Sequence, residues 1–326
     1  NVTRIEDEAA FVIDNMSGEA VNLSLDGSGD AIASMIFGYD RDSNDAADAG
    51  FPADGIVNLT LMDVTTTDTT IGITVDAGTE INLTVTDGDV DLTNLVIDDA
   101  ETLDIDGESN LTIDAFSASA GVLSTIDASD ATGDVDVNLG ANDLVEARVA
   151  ATSGVDIDFT FAGGAGDDTV RVDVDSLSSA PTAGGDAGAH DVIGGGAGRD
   201  TLDFTVANSS SAANLVDDEV TLTSIEEVRI DAQGTGIVTL DASLVGGLEN
   251  VTVRNDSTSA QAVDVDVMDM AAGVSLSVQH STLDANDDVA DTVVMAHLAD
   301  GTGTDDTMVV NIVSGTNTSE TFDFTL

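Results

Sequence analysis

The sequence predicts an all-β fold, a parallel β-helix or β-solenoid. Three observations predict it: short alternating runs along the whole chain, a recurring unit of 23 residues, and Gly/Asp-rich turns between the runs. The repeat is clearest after Leu222, where Ile225-Glu226-Glu227-Val228-Arg229-Ile230 is followed by Leu248-Glu249-Asn250-Val251-Thr252-Val253 and then by Ala271-Ala272-Gly273-Val274-Ser275-Leu276. Val228, Val251 and Val274 stand 23 residues apart. Gly236-Ile237-Val238-Thr239-Leu240 and Val263-Asp264-Val265-Asp266-Val267 lie between them, so each unit carries at least two strands. Apolar residues at every second position, with Thr, Asp or Asn between them, are the pattern of a strand with one face in a core. A fixed unit length favours coils that superpose. Tandem β-sandwich domains are the alternative for a chain of many short strands.

The first half carries the same kind of run: Val21–Leu25, Val57–Leu61, Ile81–Val85, Leu103–Ile105 and Leu111–Ile113. Gly, Asp, Ser and Thr turns join them, helical spacing is scarce, and Pro occurs only at Pro52 and Pro181. Gly38 to Gly55 and Ser176 to His190 break the pattern and read as surface loops. The organisation expected is a strand-rich half over 1–175, a glycine-rich segment over 176–205 and a second solenoid half over 206–326.

Composition narrows the function. The 326 residues hold 63 Asp and Glu against 7 basic residues, all Arg, for a net charge of −56. A surface that tracks nucleic-acid phosphates needs clustered Lys and Arg, so no nucleic-acid partner is expected. Hydrophobic residues still make up 42% and mean hydropathy is +0.13, enough for a core. Carboxylates at this density repel one another in the compact state, which points to high salt or bound divalent cations as the remedy. There is no Cys, hence no disulfide and no sulfur-based metal site. No apolar run approaches ~18 residues, so no membrane insertion is expected. The start at Asn1, without Met or a signal-like segment, reads as a processed product or a fragment.

The sharpest motif is Gly163-Gly164-Ala165-Gly166-Asp167-Asp168-Thr169-Val170, which fits the calcium-binding nonapeptide G-G-x-G-x-D-x-U-x. Gly195-Gly196-Ala197-Gly198-Arg199-Asp200-Thr201-Leu202 fits it again, and Asp191-Val192-Ile193 supplies a phased D-x-U ending nine residues before Asp200. Glycines let the backbone turn tightly and aim carbonyls, and the Asp carboxylate supplies the charge a hard cation takes. The expected Ca²⁺ ligands and turn residues are therefore Gly164, Gly166, Asp168, Asp191, Gly196, Gly198 and Asp200. Asp168 and Asp200 are expected to share ions with carbonyls of neighbouring turns. Gly140-Ala141-Asn142-Asp143 is expected to form the coil beneath, with Asp143 as a further ligand. Weaker echoes lie at Asp26–Ile32, Asp87–Asp91 and Asp300–Asp306, where an acidic solvated turn is the plainer reading; Asp305 and Asp306 are the best candidates among them.

No catalytic residue is expected. His190, His280 and His297 are scattered, no nucleophile–base pair is visible, and paired carboxylates are too common here to indicate glycosidase chemistry. A uronate-modifying enzyme on a β-helix would want Lys, Arg, His or Tyr, types that are scarce in this chain. Asn-x-Ser/Thr sequons at Asn22, Asn58 and Asn82 sit in strand contexts where Asn and Thr are simply outward partners, while Asn110 follows the acidic Glu108.

The segments GGAGDDTVRV and GGGAGRDTLDF, flanked by LTSIEEVRIDA, TLDASLVGGLENVTVRN and LADGTGTDDTMVVNI, resemble RTX-type bacterial surface-layer proteins. The resemblance covers most of residues 140–326 in pattern and the first half in composition only. It implies a β-solenoid exported by type I secretion, several bound Ca²⁺ ions, an extracellular, cell-surface location and calcium-dependent self-assembly, with the chain itself as the main partner and cell-surface polysaccharide as another. The closing Glu320–Leu326 resembles the ends of type I secretion signals and reads equally as a last strand. An adhesin stalk, a phage tail or fibre protein, and a β-helical polysaccharide-modifying enzyme or its calcium-binding module are the alternatives.

Overall fold

A computed structural model describes residues 11–16, 20–27, 31–32, 35–39, 56–67, 72–76, 80–98, 100–118, 123–139, 159–173, 191–206, 213–216, 220–233, 236–255, 263–280, 294–299 and 308–313. Among the described residues there is no α-helix; short strands pair in parallel, and the one helical turn is a 3-10 turn at Ala242–Leu244. The alternating runs explain the strands directly. Ile56–Met62 and Glu80–Val85 bury every second side chain, as a pleated strand does when one face closes a core. The fold is a parallel β-helix.

The chain divides into two compact units. The first comprises Asn1–Arg171, Ala180–Asp200 and Glu219–Ser224; the second comprises Val172–Ser179, Thr201–Asp218 and Ile225–Leu326. The glycine-rich segment 176–205 is thus shared between them.

In the first unit the coils between Phe11 and Asn138 each supply one strand to each of three sheets; the five-stranded sheet ends at Phe116–Ala118, and among the described residues the coils of Thr160–Ala162 and Val192–Gly194 add no strand to it. A representative coil runs through Ile73–Asp76, Glu80–Val85 and Val90–Leu92, and the next through Leu95–Asp98, Thr102–Gly107 and Leu111–Ile113. Each strand pairs with its counterpart on the next coil, Ile73 with Leu95, Ile81 with Leu103 and Val90 with Leu111. The middle sheet, of eight strands, begins at Ala20–Asp26 and ends at Thr221–Thr223. Its register stacks Val57, Ile81, Leu103, Ile126, Phe161, Ile193 and Leu222 in one inward column, none more than 4% exposed. Burying side chains of this size stabilises by roughly 1.5–3 kcal/mol each, which is how a chain so rich in carboxylates holds a core.

Coil length is not constant. Neighbouring-coil partners are 24 residues apart at Asn58 and Asn82, 36 at Asn22 and Asn58, and 32 at Asp168 and Asp200. What is kept is the register of the stacked strands, not the spacing along the chain.

In the second unit Thr201–Val206, Glu227–Ala232, Asn250–Asn255, Ser275–His280 and Val309–Val313 belong to one sheet, and Ala213–Asn214, Gly236–Asp241, Val263–Met270 and Val294–Leu298 form another. Val228 pairs with Val251 as the 23-residue repeat requires, but Val251 pairs with Leu276, not Val274. Val274 closes the turn before the strand, its N–H donating to the carbonyl of Ala271 at 3.2 Å with Gly273 at φ +96°. The turn absorbs two extra residues, so this coil is longer than its predecessor.

Of the two expected loops, Gly38 and Tyr39 belong to the strand Met35–Tyr39; residues 40–55 and 176–190 lie outside the described residues.

Candidate metal centre

The two glycine turns stack on one another in the first unit. Strands Thr160–Ala162 and Val192–Gly194 pair with Phe161 opposite Ile193, and the turns that follow continue this register. Gly163 donates its N–H to Gly194 O at 2.7 Å, and Ala197 to Gly164 O at 2.8 Å. Gly140–Asp143, expected as the coil beneath, lies outside the described residues. Among the described residues the turn Ala128–Val135 lies beneath, because Thr125–Asp127 pairs with Thr160–Ala162 and Ala165 donates to Ala131 O at 2.9 Å. Ala131-Thr132-Gly133-Asp134-Val135 is the same turn with its motif Asp replaced by Val135.

This stacking dictates the glycines. A Cβ on Gly164 would lie 2.2 Å from Ala131 O and 2.6 Å from Ala128 O. At Gly198 it would lie 2.1 Å from Gly166 O, and its φ of +138° is one that L side chains rarely adopt. Gly166 and Gly196 are equally tight, 2.5 Å from Gly133 O and 2.2 Å from Gly164 O.

The motif aspartates point inward. Asp168 and Asp200 are each only 1% exposed. Asp168 Oδ1 accepts the N–H of Val135 on the coil beneath at 2.8 Å, and Oδ2 accepts the N–H of Gly164 in its own turn at 2.8 Å. Asp200 Oδ1 accepts the N–H of Asp168, again 2.8 Å. Each motif carboxylate therefore caps the backbone one coil below. Burial pushes the Asp168 carboxyl up to about 6; the two N–H donors oppose that shift, and the charges of Asp200 and Asp134 add to it.

Asp191 acts alike but elsewhere. Its Oδ1 accepts the N–H of Phe159 at 2.9 Å, 32 residues earlier, at the other end of the strand Val192–Gly194 from Asp200. The structure therefore brings together Asp168 and Asp200 with Gly164, Gly166, Gly196 and Gly198, and sets Asp191 apart. Asp143, Asp305 and Asp306 lie outside the described residues.

An outward staircase accompanies the inward carboxylates. Asp89 Oδ1 accepts the N–H of Asn110 at 3.3 Å, Asn110 Oδ1 that of Asp134 at 2.9 Å, Asp134 Oδ1 that of Asp167 at 2.8 Å, and Asp167 Oδ1 that of Arg199 at 2.8 Å. These exposed residues were not expected as a set. The signal for them is the pair Gly133-Asp134, which recurs as Gly166-Asp167 33 residues later and as Gly198-Arg199 after 32 more.

Three of the described arginines pair within the solenoid. Arg171 reaches Asp136 at 2.5 Å, Arg229 reaches Asp203 at 3.4 Å and Glu227 at 3.7 Å, and Arg254 reaches Asp231 at 3.8 Å. At their partial exposure such pairs are worth roughly 0–1 kcal/mol each. His297 lies 3.2 Å from Asp266 on the neighbouring strand.

Among the described residues no three His, Cys, Asp or Glu side chains converge as a metal-binding group. The oxygens gathered at the stacked turns are two buried carboxylates and the carbonyls of the glycine segments. An ionised carboxylate has about four lone-pair sites, so accepting one N–H per oxygen leaves capacity for a cation. An all-oxygen set with buried negative charge suits a hard divalent ion.

A parallel β-helix with stacked glycine–aspartate turns is the class of protein that fold and site define. No protein-family model, curated protein or solved structure matches this chain.

Proposed function

We propose that the protein is a calcium-stabilised structural protein of the cell exterior that self-assembles into a surface layer or filament. The observation that carries this reading is the stacking of two nonapeptide turns with Asp168 and Asp200 both buried one coil apart. Buried carboxylates this close disfavour joint ionisation, and a bound Ca²⁺ supplies the compensating charge. Asp168, Asp200 and the carbonyls of the glycine turns would hold it. The cation would thereby lock successive coils. The surface charge supports the second half of the proposal: with a net charge of −56, identical subunits approach one another only when cations neutralise the faces between them. Catalysis has no part in this reading, and type I secretion to a calcium-rich exterior is the route it implies.

The test is electron microscopy with light scattering on the purified chain, in chelator, in millimolar Ca²⁺, and after chelator is restored. Ordered sheets or filaments that form with Ca²⁺ and dissolve on chelation are the expected result. A monomer under all three conditions would remove the assembly reading and leave a monomeric β-helix.

A further inference from the structure

Beyond the glycine turns, the outer face of the eight-stranded sheet carries an amide ladder that stops at a carboxylate. Asn58 Nδ2 donates to Asn22 Oδ1 at 2.9 Å, and Asn82 Nδ2 donates to Asn58 Oδ1 at 2.8 Å. Each amide thus turns its nitrogen toward the earlier coil and its oxygen toward the later one. The residue in register with Asn82 on the later coil is Asp104. Asn82 Oδ1 is buried and has no hydrogen-bond partner. An ionised Asp104 offers it only acceptors, so the ladder ends with oxygen facing oxygen.

The groups around Asp104 make its negative charge costly. Glu80 faces it from the earlier strand, Asp127 from the later strand Thr125–Asp127, Asp130 from the turn beyond, and Asp106 from its own strand; none is basic. Asp127 Oδ1 is itself engaged, accepting the N–H of Ser129 at 3.0 Å.

We propose that Asp104 is a proton-binding joint: its protonated carboxyl donates to Asn82 Oδ1, carries the ladder one coil further and tightens the contact between Glu80–Val85 and Thr102–Gly107 in mildly acidic medium. Burial first, then the repulsion of Asp127, Asp130, Glu80 and Asp106, raises the Asp104 carboxyl above its ordinary 3.8. The sign follows from a folded value above the unfolded one. The joint's contribution is fully present below the unfolded value and is lost as pH rises through the folded one.

The test uses the full chain in chelator, which removes divalent cations as a bridge, with thermal unfolding at pH 7.5 and pH 4.5. Asp104→Asn supplies a permanent donor and is expected to raise the midpoint at pH 7.5 by about 2–4 °C, an advantage that shrinks at pH 4.5. Asp104→Leu removes the charge without supplying a donor and is expected to gain less. In an Asn82→Ala background the advantage of Asn over Leu at position 104 should vanish. Equal gains for Asn and Leu would reduce the effect to relief of repulsion and overturn the proposal. An Asn advantage that does not shrink at pH 4.5, or that persists without the Asn82 amide, would overturn it as well.

Discussion

Gly198→Ala is expected to destabilise the first unit by about 3–5 kcal/mol. Two costs combine there. The new Cβ would sit 2.1 Å from Gly166 O, a backbone atom fixed by the coil beneath, and the residue would have to hold φ +138°. Gly273→Ala isolates the second cost, since its φ is +96° but nothing lies within 4 Å of the added Cβ. Urea unfolding of both variants separates the effects, with a loss of only about 1–2 kcal/mol expected at Gly273. Equal losses at the two sites would show that the glycine turns do not stack as closely as described.

Asp168→Ala is expected to cost about 2–4 kcal/mol, because it leaves the N–H groups of Val135 and Gly164 buried without an acceptor. Asp168→Asn keeps one acceptor oxygen and should lose less. Comparing their urea midpoints at pH 7.5 measures how much of the motif Asp is backbone capping and how much is charge. An Asp168→Ala variant as stable as the wild type would mean that the carboxylate caps nothing.

Much of this was legible in the sequence, and the exceptions have physical causes. Alternation in Val57–Leu61 and Ile81–Val85 reports directly on which side chains face inward, since a strand has no other period. The glycine turns at Gly163 and Gly195 were legible because a close coil-to-coil approach leaves few other residues possible. Coil length was not. The partner of a strand is chosen by the sheet's hydrogen bonds, and a turn such as Ala271–Val274 takes up extra residues without disturbing them, which is why Val274 kept the 23-residue spacing and lost the register. For the same reason Asp168 meets Val135, 33 residues earlier, a separation no fixed unit length predicts. The Asn22–Asn58–Asn82 ladder looked like isolated sequons, because side chains 36 and 24 residues apart become neighbours only once the coils are stacked.

The most direct test of calcium at the stacked turns is calorimetric titration of the full chain with Ca²⁺ across pH, paired with thermal unfolding. Without calcium, the Asp168 carboxyl, raised to about 6 from an unfolded 3.8, contributes stability that is complete below the unfolded value and is lost as pH rises through about 6. With calcium the order reverses, because the cation requires the ionised carboxylate. The expected result is stabilisation by Ca²⁺ at pH 7.5, proton release on binding near pH 6, a weaker affinity below it, and loss of these effects in the Asp168→Asn, Asp200→Asn double variant. A chain whose calcium heat and stabilisation are unchanged in the double variant, or absent at pH 7.5, would contradict a cation at these turns.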